Sequence, residues 1–169
     1  MKSEIIVLKK ADSEDCRFFL ELANAPDVRA VSFSGESIPW ETHCKWFEDK
    51  LADSDSFLFT AADKVSGKKL GYIRFEKKHD FFIISLCLAE EFRGKGLGTI
   101  LIEHGTSELF RDCPEAEKIL AYIRPDNHAS IRAFKNAGYK NAGFATINED
   151  NDAVLMVKKR NADSTVQDI

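Results

Sequence analysis

Residues 81–99 read FFIISLCLAEEFRGKGLGT, and this stretch decides the fold. Its first eight residues are mostly apolar and predict a buried strand, while the residues after the stretch continue as an amphipathic helix. The turn amides and the positive end of that helix form an anion site suited to a pyrophosphate, to which Arg93 and Lys95 add positive charge. A ligand can come close to the backbone N–H groups of the turn because three of five successive residues carry no Cβ atom: Gly94, Gly96 and Gly98.

The same turn could also join a strand to a helix without holding any ligand, so its motif has to be identified. A P-loop requires a lysine directly after its second glycine, and residues 94–99 do not supply it at that spacing. A dinucleotide fingerprint lies at the first strand of a βαβ unit with an acidic residue about 20 positions on. Position and spacing both disagree here, so both of these nucleotide motifs are excluded.

Composition limits the class of protein. The 169 residues suit one domain, and 44% apolar with 31% charged residues is a globular balance. A net charge of −4 without a basic block argues against nucleic-acid partners, since such binding depends on neutralising phosphates. No apolar run approaches the roughly 20 residues that span a bilayer, and the apolar stretch 5–8 is too short for a signal peptide. We therefore expect a cytoplasmic protein without a membrane partner.

Cysteine and histidine positions indicate neither disulfides nor a metal. The four cysteines lie far apart in the sequence without a C-x-x-C pair, and a chain without a signal peptide should keep them reduced. The four histidines are scattered, and no two have the spacing that would direct them at one ion.

Hydrophobic periodicity predicts one α+β domain over residues 1–160. Its elements follow in the order strand, two helices, three strands, helix, strand, helix and two strands. Residues 24–27 should break the first helix, and the second should bury Trp46, Phe47 and Leu51. Residues 161–169 are polar without periodicity and are expected to form a flexible tail.

Two motifs together carry a family resemblance. Residues 93–98 match the pattern Arg/Gln-x-x-Gly-x-Gly/Ala, and residues 127–139, NHASIRAFKNAGY, match an Asn-x-x-Ala/Ser helix that ends in Gly-Phe/Tyr. On these motifs the chain resembles the GNAT family of N-acetyltransferases over residues 4–159. The resemblance implies a single GNAT-like domain with a mixed, mostly antiparallel central sheet, splayed parallel strands and flanking helices.

The resemblance also implies acetyl-CoA as co-substrate, without a metal, in a V-shaped gap between strands 81–88 and 118–123. Backbone groups at the end of the first strand would hold the pantetheine arm, and the turn amides would hold the pyrophosphate. Asn127 either reaches the pantetheine or caps its helix. The cofactor-binding residues expected on this basis are Leu86, Cys87, Leu88, Arg93, Gly94, Lys95, Gly96, Leu97, Gly98, Thr99, Asn127, Ser130 and Phe134.

In this family a neutral primary amine attacks the thioester directly, and many members protonate the leaving thiolate with a tyrosine. Phe134 stands at that position and cannot donate a proton. Tyr122, Tyr139, Ser130, Cys87 and water remain open as substitutes. Cys87 is otherwise a small apolar strand residue. The leading candidates for the general base are His43 and Glu36, with Glu41, Glu76 and His79 as further possibilities; a lone helical histidine is more often structural.

Residues 29–47 should form the acceptor site. Ile38, His43, Trp46 and Phe47 are similar to an Ile-x-x-x-x-His-x-x-Trp-Phe pattern of acetyltransferases for nucleotide-linked amino sugars, such as the pseudaminic acid pathway enzyme. The region also resembles acetyltransferases of ribosomal-protein N-termini, and the two aromatic residues could equally be core. We expect a small-molecule amine acceptor and a monomer or homodimer. The alternatives are a protein N-terminus, a polyamine, or an inactive CoA-binding sensor or scaffold.

Overall fold

A seven-stranded sheet organises the chain in the computed structural model, which describes residues 5–148 and 151–161. The strand order is β1-β2-β3-β4-β5-β7-β6, and every neighbouring pair is antiparallel except β4 and β5. The strands are β1 Ile6–Lys10, β2 Ser56–Asp63, β3 Lys69–Lys78, β4 Phe81–Leu88, β5 Lys118–Ile123, β6 Lys140–Asn148 and β7 Asn151–Lys159.

Five α-helices and two short 3-10 turns complete the described fold. The side chain of Asp12 accepts a hydrogen bond from the backbone N–H of Glu14 and starts the first 3-10 turn, which leads directly into the first helix. Among the described residues, no helix is long and apolar enough to cross a membrane. The helices are α1 Cys16–Ala23, α2 Pro26–Ala30, α3 Trp40–Ala52, α4 Leu97–Asp112 and α5 His128–Asn136, and the 3-10 turns are Ser13–Asp15 and Glu90–Phe92.

The helices cover both faces of the sheet. Successive side chains of a strand point to opposite faces, and neighbouring residues of β3 show which helices lie where. Ile73 belongs to the larger core with α4, where a Cβ on Gly105 would come within 2.4 Å of Ile73 Cδ1. Tyr72 belongs to a smaller core with α1 and α3, built around Phe19 and Phe47.

The parallel pair β4–β5 separates soon after it forms. Its register contains only Phe82 opposite Ile119 and Ile83 opposite Leu120. Beyond these pairs β4 stays bonded to β3 as far as Leu88, and β5 stays bonded to β7 as far as Ile123. The middle of the sheet therefore opens into a gap, and backbone groups on the β5 side of residues 84–88 are left outside a ladder.

The structure confirms the predicted α+β class and mixed sheet with splayed parallel strands, but it corrects two local predictions. Residues 24–27 do end α1, yet a further helix, α2, begins at Pro26, a residue well suited to a first helical turn. In α3 the buried residues are His43 and Phe47, one helical turn apart, while Leu51 is 37% exposed and Trp46 is half-buried. The domain limits stay a prediction, because the expected tail lies outside the described residues except for Asn161.

Candidate functional site

The glycine turn ends at an uncapped helix N-terminus. Gly94 and Gly96 adopt the left-handed conformation, with φ of +69° and +77°, and Gly96 is the N-cap of α4. The first amides of a helix have no partner within it, and a glycine N-cap offers no side chain to satisfy them. A Cβ at either glycine would meet no atom of the chain within 4 Å. The space beside these glycines is therefore open to a ligand, as an anion site at a helix N-terminus requires.

A cleft of about 590 Å³ lies along this turn; we call it the turn cleft. It brings together ten of the thirteen residues expected to bind the co-substrate: Leu86, Cys87, Leu88, Arg93, Gly94, Gly96, Gly98, Thr99, Asn127 and Ser130. Phe134 instead lines the neighbouring gap between the strands. Leu97 is buried in the main core, and Lys95 is exposed, with Nζ 5.9 Å from the centroid of the Phe92 ring. The side chains of these last two residues are outside the cleft.

Arg93 is half-buried, and its guanidinium is held by other parts of the protein. Its Nε donates a hydrogen bond to the carbonyl of Leu88 at 2.8 Å, and its Nη1 forms an ion pair with the Asp27 carboxylate. Asp27 lines the same cleft. The expectation that Arg93 adds net charge to the anion site is therefore corrected, because Asp27 neutralises it. Arg93 connects the end of β4 to α2 and so orients the turn.

Asn127 caps α5, which is one of the two roles considered for it from sequence, and its contact with the pantetheine stays a prediction. Its Oδ1 accepts a hydrogen bond from the backbone N–H of Ser130 at 3.2 Å, which caps α5. The residue also borders both the turn cleft and the strand gap. An amide oxygen used for capping leaves the amide NH₂ available as a donor to a ligand.

A second cavity, of about 350 Å³, fills the space between β4 and β5; we call it the strand gap. It adjoins the turn cleft, since Leu86, Cys87, Asn127 and Ser130 border both. It also carries the substitute proton donors Tyr122 and Ser130, with Phe134 forming part of its wall.

Two other proposed proton donors are poorly suited to that role. Tyr139 is buried, its hydroxyl hydrogen-bonds Thr106 Oγ1 at 2.8 Å, and burial raises its pKa. Burial likewise raises the pKa of the Cys87 thiol to about 12, well above that of an ordinary thiol.

A third cavity, of about 320 Å³, opens between α1, α3 and the sheet; we call it the aromatic cavity. Phe19, Trp46 and Tyr72 line it, with Ile38, Thr42 and His43. It borders the strand gap through the shared residues Arg29, Tyr72 and Arg74. The three cavities therefore adjoin one another in a row from the uncapped turn, past the open part of the sheet, to the α1–α3 face, and we call this row the passage.

His43 is 4% exposed, and its Nε2 lies 2.9 Å from the Cys16 carbonyl. A carbonyl only accepts hydrogen bonds, so Nε2 carries the proton and Nδ1 keeps the lone pair. Burial lowers the pKa of His43 below its usual 6.5, although the Cys16 carbonyl opposes the shift. This geometry suits an anchor between α3 and α1, and leaves Nδ1 as the atom through which a general base would have to act.

The other candidate bases lie outside the passage. Glu36 is exposed and contributes its backbone carbonyl to Arg29 Nη1 at 3.2 Å. Glu76 is bound by Arg74 and by Lys50 Nζ at 2.9 Å. Glu41 is exposed on α3, and His79 lies in the β3–β4 turn with φ of 54°.

Sequence reasoning missed several residues of the site. The face of α5 that carries Ser130 also brings Ala129, Arg132, Ala133 and Asn136 to the turn cleft, and their spacing of three and four was available as a signal. Arg29 lies at the start of the segment 29–47 expected to form the acceptor site, but the sequence assigned it no role of its own, and it borders two of the three cavities. The described residues contain no group of three or more His, Cys, Asp or Glu placed to hold a metal.

Comparisons with known proteins show which family and which solved structures this chain is similar to. The model of the acetyltransferase (GNAT) family matches residues 25–139. Aminoglycoside acetyltransferase AAC(6')-Ib in complex with coenzyme A and kanamycin is similar in structure, with TM-score 0.76 and 24% identity over 92% of this chain and 95% of that chain. Spermidine N-acetyltransferase from Vibrio cholerae in complex with CoA and spermine has TM-score 0.79 and 18% identity over 91% and 95%.

A ribosomal-protein-S5-alanine acetyltransferase from Vibrio fischeri has TM-score 0.73 and 17% identity, covering 93% of this chain and 94% of that chain. No curated protein matches the sequence. At these identities the solved structures show a shared fold, while the family model extends over more than half of the chain.

Proposed function

The chain belongs to the GNAT family of acetyltransferases, and from that premise we propose that it transfers the acetyl group of acetyl-CoA to the primary amine of a small molecule. The observation that carries the proposal is the row of adjoining cavities formed by the turn cleft, the strand gap and the aromatic cavity. It offers an anion site at one end, unpaired strand backbone in the middle and a separate cavity at the other end.

The turn cleft would hold the pyrophosphate on the amides at the start of α4, and the β4 edge of the strand gap would hold the pantetheine arm. The thioester would then lie in the strand gap, open to an acceptor in the aromatic cavity. The amine nitrogen attacks the carbonyl carbon and loses a proton, while the carbon–sulfur bond breaks and the thiolate leaves with a proton. Backbone N–H groups of residues 86–88 are suited to stabilise the oxyanion between these events.

We assign protonation of the thiolate to Tyr122. Its neighbours Ala121 and Ile123 point into the larger core, so Tyr122 projects from the opposite face, where the aromatic cavity lies. The other tyrosine that lines the gap, Tyr72, is stacked on Phe19 with ring centroids 4.2 Å apart, and burial raises its pKa to about 12.

A nucleotide-linked amino sugar is the acceptor that we propose within this class, and the aromatic faces of Trp46 and Tyr72 support it because a sugar ring or a base can pack on them. The solved structures of similar enzymes contain other molecules, among them kanamycin and spermine. The cytoplasmic location and the monomer or homodimer state stay predictions.

The test is an amine panel with acetyl-CoA, scored by release of the CoA thiol and by the mass of the acetylated product. We expect acetylation of at least one small amine. Binding of acetyl-CoA without transfer to any small amine or peptide N-terminus would instead favour the CoA-binding sensor or scaffold. Failure to bind acetyl-CoA would overturn the proposal as a whole.

A further inference from the structure

Arginines dominate the acceptor end of the passage. Arg29, Arg74 and Arg124 line the strand gap, and the first two also line the aromatic cavity. Among the described residues, no aspartate or glutamate lines either cavity. Such a lining is unexpected for an enzyme whose acceptor is a polycation.

Backbone carbonyls and the Ser32 hydroxyl, and no carboxylate, hold Arg29, whose Nη2 donates to Ser32 Oγ at 3.1 Å. Its Nε donates to the Ala23 carbonyl at 2.7 Å, and its Nη1 donates to the carbonyls of Ser34 and Glu36 at 3.1 and 3.2 Å. Within the described part of the chain it forms no ion pair. Its side chain is half-buried, so its positive charge is only partly screened by water. The field of Arg29 reaches into the gap, where it opposes the rise that burial causes in the Cys87 pKa.

Arg74 is only partly neutralised. Its Nη1 pairs with Glu76, but Glu76 is shared with Lys50 Nζ at 2.9 Å, and the second carboxylate beside Lys50, Asp53, is farther from it at 4.0 Å. The guanidinium carbon lies 4.7 Å from the centroid of the Trp46 ring, which orients the group beside the aromatic cavity. Its Nε and Nη2 have no hydrogen-bond partner among the described residues. These two atoms form one edge of the guanidinium fork, the edge that binds a carboxylate or phosphate with two parallel hydrogen bonds.

Arg124, in contrast, is neutralised by Asp126, with which it makes two hydrogen bonds of 3.0 and 2.7 Å. Asp126 therefore pairs with Arg124, and Glu76 is shared by Arg74 and Lys50, while Arg29 has no carboxylate partner among the described residues. The excess positive charge at the acceptor end rests on Arg29 and Arg74. A positive site attracts anionic substrates and repels cationic ones. It also disfavours the ammonium form of the acceptor, so that more of the amine is in the neutral form that can attack.

We infer that the acceptor is an amine that also carries an oxyanion, either a carboxylate or a phosphate, which Arg29 and Arg74 bind. The inference rests on the proposed acetyl transfer and specifies its substrate class. It separates this chain from enzymes that act on spermine-like polycations, and a nucleotide-linked amino sugar is one member of the class because its phosphates are anionic.

The test uses two pairs of amines that differ in one anionic group: glucosamine 6-phosphate with glucosamine, and phenylalanine with phenylalaninamide. Spermidine is the cationic comparison. We expect the anionic member of at least one pair to have the higher kcat/KM, by about tenfold or more, as hydrogen bonds to a charged group allow. The advantage should shrink as salt is added. The pair that shows it identifies the phosphate or the carboxylate.

Arg74→Gln should remove most of that advantage, and Arg74→Lys, which keeps the charge without the fork, should restore part of it. Arg111→Gln is the matched control, because Arg111 is an exposed arginine that pairs with Glu108 and Asp112 on α4, outside all three cavities. Circular dichroism and the KM for acetyl-CoA check that each variant folds.

Calorimetric binding of the same amines to the CoA-saturated protein distinguishes failure of the anionic-acceptor inference from failure of the proposed acetyl transfer. Binding of glucosamine 6-phosphate or phenylalanine that depends on Arg74, with no amine acetylated, supports this inference and overturns the proposed function. Preferential acetylation of spermidine, or of the uncharged member of both pairs, supports the proposed function and overturns this inference. Equal effects of Arg74→Gln and Arg111→Gln, or no binding of either anionic amine, also overturn it.

Discussion

Substitution of Gly96 by alanine should weaken acetyl-CoA binding in addition to destabilising the fold. Gly96 has φ of +77°, a conformation that costs an L-residue about 1–2 kcal/mol. For a chain of 169 residues this loss lowers Tm by about 2–8 °C, since each kcal/mol corresponds to about 2–4 °C at this size. The new methyl group meets no atom of the protein within 4 Å, so the space it enters is the space proposed for the pyrophosphate.

The protein provides a matched control at Gly67, in the turn between β2 and β3. Gly67 has φ of +71°, and a Cβ there also meets nothing within 4 Å. Gly67→Ala therefore introduces the same backbone strain at a turn that does not border the turn cleft. Backbone strain is the same in the free and the acetyl-CoA-bound protein, so it does not change the binding constant. A lower affinity of Gly96→Ala than of Gly67→Ala would therefore show that the new methyl group obstructs acetyl-CoA.

Isothermal titration with acetyl-CoA measures that difference. We expect Gly96→Ala to lose more than about tenfold in affinity, or about 1.4 kcal/mol, and Gly67→Ala to bind like the wild type, while both unfold at similarly lowered temperatures. Equal acetyl-CoA affinity in the two folded variants would refute the idea that the turn holds the pyrophosphate.

Three further predictions concern single side chains. Burial lowers the pKa of His43 below its usual 6.5, so the unfolding free energy of the wild type, measured with urea, should be highest above pH 6.5 and should decline as the pH falls below 6.5, whereas His43→Gln should lack this decline. The same dependence of unfolding free energy on pH in both proteins would contradict a buried, neutral His43. Tyr139→Phe, which leaves Thr106 Oγ1 without its partner, should cost about 1 kcal/mol of unfolding free energy and leave kcat unchanged, and a loss of kcat would mean that Tyr139 takes part in the reaction. Tyr122→Phe should reduce kcat by about 10²-fold with unchanged acetyl-CoA affinity, and full activity would transfer the protonation to water or Ser130.

Much of the fold could be predicted because its signals are local. The apolar run of β4, the glycines after it and the Asn127 N-cap each depend on neighbouring residues, and the structure has a strand, an uncapped turn and a capped helix there. The ten expected binding residues that border one cleft come from two distant segments, and their meeting was expected from the family resemblance rather than from local signals.

The remaining features depend on packing between distant segments. The side of α3 that is buried was predicted only in part, because Trp40, Trp46 and Leu51 blur the periodicity, and contact with α1 selects His43 instead. Cys16 and Cys44, 28 positions apart, have their sulfurs 3.7 Å apart for the same reason, and burial together with Cys44 raises the pKa of Cys16 to about 11.

The neutralisation of Arg93 and the excess charge at Arg29 were equally inaccessible from sequence. Both depend on how the short helix α2 packs against the end of β4 and against the loop that follows α2. No periodicity in the sequence encodes that position.

The central claim is that acetyl-CoA lies along the turn and the open edge of β4, and amide hydrogen exchange with and without acetyl-CoA tests it most directly. We expect slower exchange for the amides of residues 94–99 and 86–88 when acetyl-CoA is bound, with no change in the control turn 63–68. Saturable binding that leaves the amides of 94–99 and 86–88 unprotected, or that protects another part of the chain instead, would contradict it.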